Sequence, residues 1–190
     1  MVVFQKFENG VAVDLRPALM RAKATGRVYH KTDTHWNDAG AFAGYQDILR
    51  AASRAVEGLA PQDRADFTPV ERDEPGGDLA EMLGVPELMR ERSAYLEPRV
   101  PRRARLLEPP TLREGYEVAR VVTEVPDSRL PRLVMFRDSF ATRLIPLLSE
   151  HFSRAVYQWQ NDVDLDLVAQ EKPALVIHEM VGRRLLSYAP

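Results

Sequence analysis

The chain has 190 residues, of which 45% are hydrophobic and 28% charged, the balance of a globular domain and not of a disordered, collagenous or membrane-spanning chain. Its 26 basic and 28 acidic side chains leave a net charge of −2, so no global field recruits nucleic acid or an anionic membrane. Cysteine is absent, which excludes disulfides, thiolate nucleophiles and cysteine metal sites together.

The length suits one domain over 1–190 with one core. Val11-Ala12-Val13-Asp14-Leu15 reads as a short strand, and Arg16-Pro17 opens a helical turn that Gly26 ends. Residues 27–30 read as a second strand that delivers Lys31-Thr32-Asp33-Thr34-His35-Trp36 to a loop. From Asn37 or Asp38, either a good N-cap, the spacing of Phe42, Tyr45, Leu49, Ala52, Val56 and Leu59 predicts a helix stopped by Gly58 and Pro61. Residues 60–130 carry nine prolines and only short periodic pieces, and read as an irregular insertion. Within it, helical turns are expected over 79–89 and strands over 103–106 and 117–125. The Arg99 to Arg105 cluster reads as a solvated face rather than a polyanion site.

After Pro131 the pattern becomes regular. Arg132-Leu133-Val134-Met135-Phe136 is the continuous apolar run of a strand covered on both faces. A helix with a kink at Pro146 follows through Phe152, then a strand at 155–157, a helix at 163–170, a strand at 174–177 and a helix at 181–188. This alternation predicts an α/β fold: a three-layer sandwich with a mainly parallel sheet, helices on both faces and ligands at the carboxyl ends of the strands.

Two segments can do chemistry. Asp138-Ser139-Phe140 lies where a buried strand turns into a helix, which lifts a serine hydroxyl above the sheet beside the backbone N–H groups of the turn. Ser139 either caps the helix or serves as a nucleophile, and its position alone favours the cap. Asp33-Thr34-His35 places a carboxylate and an imidazole on one side of an extended segment, the orienter and base of a serine triad. Trp36 beside them forms a pocket wall or packs in the core. A metal set of His30, Asp33, His35 and Asp38 matches no strong ligand spacing, so no metal and no cofactor is expected. His151 and His178 read as structural residues, and Asn161 as an oxyanion donor only if the loop after Trp159 folds back.

The segment from Tyr29 through His30-Lys31-Thr32-Asp33-Thr34-His35-Trp36-Asn37, the helix after it and Leu133-Val134-Met135-Phe136-Arg137-Asp138-Ser139-Phe140 together resemble the AlgX/AlgJ-type SGNH-hydrolase-like acetyltransferase domains of alginate O-acetylation. The Gly77-Asp78-Leu79 turn and the stretch from Lys172 to Met180 with Arg183-Arg184 are similar as well. The resemblance implies an SGNH-like domain that transfers an O-acetyl group to a carbohydrate, or hydrolyses an acetylated sugar, through an acyl-serine. Ser139 is then the nucleophile with its backbone N–H as an oxyanion donor, His35 the base and Asp33 its orienter. Trp36 and Arg137 are the expected substrate contacts. Arg137 stands where the family has glycine and suits an anionic sugar group. That departure also supports the alternative, a non-catalytic carbohydrate-binding or assembly module with a degenerate site.

The same resemblance implies an acetyl donor protein as partner and a periplasmic or cell-envelope location. The chain itself shows no export signal, which leaves a cytoplasmic location open. Relatives carry further structure before the Asp33 motif, so an open sheet edge is expected, covered by self-association into a homo-oligomer or by the N-terminal segment.

Overall fold

The computed structural model describes residues 2–5, 10–112 and 118–187. In chain order the strands are β1 (Val2–Gln5), β2 (Val11–Val13), β3 (Phe67–Glu74), β4 (Glu91–Pro98), β5 (Arg105–Leu106), β6 (Thr111–Leu112), β7 (Val118–Glu124), β8 (Arg132–Arg137), β9 (Arg154–Trp159) and β10 (Leu175–Glu179). The α-helices are α1 (Arg16–Lys23), α2 (Asp38–Ala52), α3 (Asp78–Met82), α4 (Ile145–Leu148) and α5 (Leu165–Glu171). These elements fall into two compact units, one of residues 1–14, 48–60 and 102–190, the other of 15–47 and 61–101.

The first unit is built on a mixed sheet of order β2-β1-β10-β8-β9-β7-β5, with β6 also on β7. Parallel pairing is confined to β8 with its neighbours β10 and β9, and every other pair is antiparallel. The expectation of a mainly parallel sheet is therefore corrected to a parallel centre of three strands. Parallel neighbours need a crossover, and only residues 138–153 and 160–174 supply one; strands without it return antiparallel. One of the two expected ways of covering the sheet edge is seen, because β1 pairs along β10 from Val2↔Glu179 to Gln5↔Val176.

Alternation along these strands separates two buried faces. Val122, Val134, Phe136, Val156 and Val176 pack with Leu167 and Val168 of α5. On the other face Tyr157 places its hydroxyl 2.9 Å from Ser149 Oγ, which also accepts from Thr123 Oγ1 at 2.9 Å and donates to the Ile145 carbonyl at 2.7 Å. The helix expected through Phe152 is three short pieces: a 3-10 turn Ser139–Arg143, α4, and a 3-10 turn Ser149–His151. Pro146 sits in the first turn of α4, where its missing N–H interrupts no hydrogen bond. The last helix is likewise a 3-10 segment, Gly182–Ser187, and Tyr188 lies outside the described residues. The arginines of the cluster at 102–105 bond locally, Arg102 to the Pro146 carbonyl, Arg103 to Glu150 and Arg105 to Glu124, as a solvated face does.

The second unit contains the motif loop. The strand expected at 27–30 is reduced to one bridge, Tyr29↔Trp36, because residues 31–35 turn back instead of finding a ladder partner. Asn37 accepts the Gly40 N–H at 3.1 Å at the start of α2, which ends at Ala52, earlier than the apolar spacing predicts. Residues 61–101, expected to be irregular, hold a full antiparallel ribbon, β3 with β4, in register from Phe67↔Pro98 to Glu74↔Glu91. Half of its residues are exposed and its buried positions include Glu91 and Ser93, so apolar alternation is missing and charge pairing takes its place: Arg72 with Glu97 at 2.7 Å, Arg92 with Glu71 at 2.6 Å, and the Arg72 guanidinium 4.6 Å from the Tyr95 ring centre. Among the described residues no helix is long and apolar enough to cross a membrane.

Candidate active site

The second unit contributes an aspartate–histidine pair. Asp33 Oδ1 accepts both the His35 backbone N–H at 2.8 Å and Nδ1 at 2.7 Å, so one oxygen closes the turn and orients the ring. Burial alone would raise the Asp33 carboxyl, but the two hydrogen bonds from His35 and its charge outweigh that and hold it down to about 2. Thr34, between the two, donates its N–H to Asp78 Oδ1 at 2.7 Å and its hydroxyl to Asp78 Oδ2. Upstream, buried Glu91 accepts the N–H groups of Lys31 and Thr32 at 2.7 and 3.0 Å, the Thr32 hydroxyl at 3.0 Å and an Arg27 N–H at 2.9 Å. Burial pushes the Glu91 carboxyl up, and these hydrogen bonds more than reverse it.

The metal set read from sequence does not assemble. His30 Nδ1 faces Ser93 Oγ at 3.1 Å, and Asp38 accepts the Leu96 N–H at 2.8 Å. Asp33, His35 and Asp78 do offer one donor atom each within 4.8 Å of one another, the one such group among the described residues. Their oxygens are already engaged by the loop they organise. Trp36 is 4% exposed, and a Cβ placed on Gly44 would stand 3.2 Å from its ring, so its carbon surface belongs to the unit's core. The pocket-wall expectation is corrected accordingly: an indole packed that closely presents almost no face to a sugar.

In the first unit Ser139 begins the 3-10 turn at the carboxyl end of β8, but the cap is Asp138. Asp138 Oδ1 accepts the Phe140 N–H at 2.9 Å and Oδ2 the Val181 N–H at 2.8 Å, joining the ends of β8 and β10. The reading of Ser139 as the cap is therefore wrong, since the preceding aspartate does that work. The Asp138 N–H donates to Glu179 Oε2 at 3.2 Å. Burial, with the Asp138 charge beside it, pushes the Glu179 carboxyl up to about 8.

Arg137 is 2% exposed, donates to the Asp138 carbonyl at 3.2 Å and Thr142 Oγ1 at 3.1 Å, and lies 4.5 Å from the centre of the Trp159 ring. The expectation that it grips an anionic sugar group is corrected, because the guanidinium is buried on its own strand-end neighbours. Ser139 instead opens on a cavity of about 620 Å³ lined with Asp138, Trp159, Asn161 and Arg184, among others. The loop after Trp159 thus folds back, with Asn161 Oδ1 taking an Arg184 N–H. Burial lowers His151 to about 4, and it also lowers His178, against a hydrogen bond with the Asn161 backbone and the charges of Asp162 and Asp138.

Sequence reasoning assigned no role to Asp78, Glu91 or Glu179. The one signal for Asp78 was the Gly77-Asp78 turn, while Glu91 and Glu179 look like ordinary strand acids until their burial is known.

The family model of the SGNH hydrolase-like domain of acetyltransferase AlgX matches residues 7–109, the stretch that carries Asp33, His35 and Asp78 and ends before Ser139. No curated protein matches the chain. Among solved structures, a DHHW family protein from Eubacterium siraeum is similar with a TM-score of 0.65 and 14% identity, over 84% of this chain and 60% of that one. Bacillus cereus PatB1, solved with a sulfonyl adduct, has a TM-score of 0.60 and 18% identity, over 84% of this chain and 63% of that one. The chain therefore spans about three fifths of the length of each. With more than half of its residues inside the family model, the chain belongs to the AlgX-type SGNH hydrolase-like acetyltransferase domain family.

Proposed function

We propose that the chain carries a serine-dependent site for O-acetyl transfer to a carbohydrate, or for hydrolysis of its acetyl esters. The observation that carries this reading is the Asp33–His35 pair, in which a carboxylate held ionised grips Nδ1 and leaves proton transfer to Nε2. Ser139 Oγ attacks the acetyl carbonyl carbon while His35 Nε2 takes the hydroxyl proton. The tetrahedral oxyanion accepts the Ser139 backbone N–H, and Asn161 on the same cavity is a second donor. The intermediate collapses to acetyl-Ser139, and the imidazolium returns its proton to the departing oxygen. A sugar hydroxyl or water then gives up a proton to His35 and attacks the acetyl carbon, the bond from that carbon to Ser139 Oγ breaks, and the imidazolium returns the proton to Oγ.

The cavity beside Ser139 is lined mainly by polar and charged groups, which suits a carbohydrate better than an apolar acyl chain. Family membership supports a carbohydrate acceptor and a periplasmic or envelope location. An acetyl donor protein as partner belongs to the same proposal. A second reading, a carbohydrate-binding module without turnover, draws on Arg137, whose buried guanidinium occupies the place of the family's glycine.

Sulfonyl reagents capture activated hydroxyls, and PatB1 was solved with such an adduct. Treating this chain with a sulfonyl fluoride and mapping the adduct by mass spectrometry is expected to place it on Ser139, with loss in Ser139→Ala and in His35→Ala. Labelling that is absent, or that persists in Ser139→Ala, overturns the catalytic reading.

A further inference from the structure

The Asp33–His35 pair lies on a loop, and a loop holds a hydrogen bond of 2.7 Å only where something else fixes its backbone. Residues 77–79 supply that support through hydrogen bonds to residues 32–34. The Gly77 N–H donates to Thr32 Oγ1 at 3.1 Å, and the Leu79 N–H donates to the Thr32 carbonyl at 3.1 Å. Asp78 takes both polar groups of Thr34, its N–H at 2.7 Å and its hydroxyl, while its own N–H points at Asp33 Oδ2 from 3.5 Å. Gly77 has no freedom to be another residue: a Cβ there would stand 2.5 Å from Asp33 Cβ and 2.7 Å from Asp33 Cγ. That displaces the carboxylate which orients His35.

The geometry points to Gly77 and Asp78 as a positioning template for the Asp33–His35 pair: Asp78 fixes the Thr34 peptide N–H through one carboxylate oxygen and the Thr34 hydroxyl through the other, and Gly77 leaves the room in which the Asp33 carboxylate sits. This role rests on the proposed serine chemistry for its effect on rate, and on the loop geometry alone for its effect on structure. Thr34 is the only residue between orienter and base. Fixing its N–H and its hydroxyl fixes the torsions that decide whether Asp33 Oδ1 meets the two His35 nitrogens. Asp78 also lies 3.7 Å from His35 Nδ1, so a charge effect and a placement effect must be separated.

Three variants separate them: Asp78→Ala, Asp78→Asn and Thr34→Val. Hydrolysis of an activated acetyl ester and the crystal structure of Asp78→Ala are the readouts. Asp78→Ala is expected to lower kcat on the order of 10²-fold, the cost of misplacing a catalytic group by about 1 Å, with KM for the small ester unchanged. Asp78→Asn keeps an acceptor for the Thr34 N–H and is expected to recover kcat to within about tenfold of the parent chain. Thr34→Val combined with Asp78→Ala is expected to lose no more than Asp78→Ala alone, since both break one linkage. In the Asp78→Ala crystal the Asp33 Oδ1 to His35 Nδ1 distance should open beyond hydrogen-bonding range.

Retention of that contact in Asp78→Ala overturns the template, as does a kcat within twofold of the parent. Equal losses in Asp78→Ala and Asp78→Asn mean that charge and not placement matters, and also overturn it. A parent chain with no Ser139-dependent hydrolysis refutes the proposed function instead, while the crystal distance still decides the template.

Discussion

The two units fix their functional side chains by opposite means. Ser139 stands at the end of β8, whose residues 133–137 are all buried, so its backbone is placed by apolar packing on both faces of a sheet. Asp33 and His35 stand on a turn held by carboxylates: Glu91 takes the N–H groups of residues 31 and 32, and Asp78 takes that of residue 34. Strand β8 is held by that packing, and only the turn after it depends on a carboxylate, Asp138, which takes the Phe140 and Val181 N–H groups. A turn of the second kind fails when one acceptor goes, because each buried N–H it leaves behind costs about 1–3 kcal/mol.

The largest expected effect falls on the turn. Asp33→Asn should lower esterase kcat on the order of 10³- to 10⁴-fold, since the amide offers His35 the wrong partner for its tautomer. Its melting temperature should stay within a few degrees, because Asn still accepts the His35 backbone N–H. A large loss of melting temperature would mean that the ionised carboxylate supports the fold itself, and the contrast between the units would narrow.

Next in size is the sheet. Phe136→Ala removes a fully buried ring from the face packed on α5 and should cost about 3–5 kcal/mol in urea unfolding. Destabilisation below about 1 kcal/mol would show that this face can collapse, and that packing does not place Ser139.

Glu179 is the polar exception in the apolar unit. Its folded value of about 8 lies above its ordinary value of 4.5, so between these the folded chain holds a proton that the unfolded chain has released. Stability from this group is complete below about 4.5 and is lost as pH rises through about 8. Denaturant midpoints at pH 5 and pH 8.5 should fall by an amount worth a few kcal/mol in the parent, and by distinctly less in Glu179→Gln. An equal fall in both assigns the pH dependence to other groups.

The smallest effect belongs to the ribbon. Arg72→Ala breaks an exposed ion pair with Glu97 and should shift stability by less than about 1 kcal/mol. A larger cost would show that the β3–β4 ribbon depends on its charges more than exposed pairs usually allow.

The same division governs what could be read from the sequence. The strands of the apolar unit announced themselves, because Leu133 to Phe136 and Leu175 to Ile177 are buried on both faces and so form unbroken apolar runs. Strand direction was not legible: it follows from which connections cross the sheet, and β1 and β7 return without a crossover. The ribbon was missed because only Phe67 and Leu96 bring apolar side chains to the core, while its other buried positions include the polar Glu91 and Ser93 and half of its residues are exposed. Asp33 and His35 were legible as a pair two apart, and Ser139 from its strand-to-helix position. The acceptors that hold them, Asp78 and Glu91, lie more than 40 residues from the turn, and Glu179 lies 40 residues beyond Ser139. Trp36 and Arg137 were legible as large side chains near a motif, but not as buried ones.

One oxygen of Asp33 serves both the backbone and the ring of His35, so the shape of the turn and the alignment of the base are a single object. That limits how the motif can change. Asp33→Glu keeps the charge yet adds a methylene, which enlarges the ring that closes on the His35 N–H and crowds the side chain against Gly77. Asp33→Glu, although one conservative substitution, therefore loses the turn and the pair together.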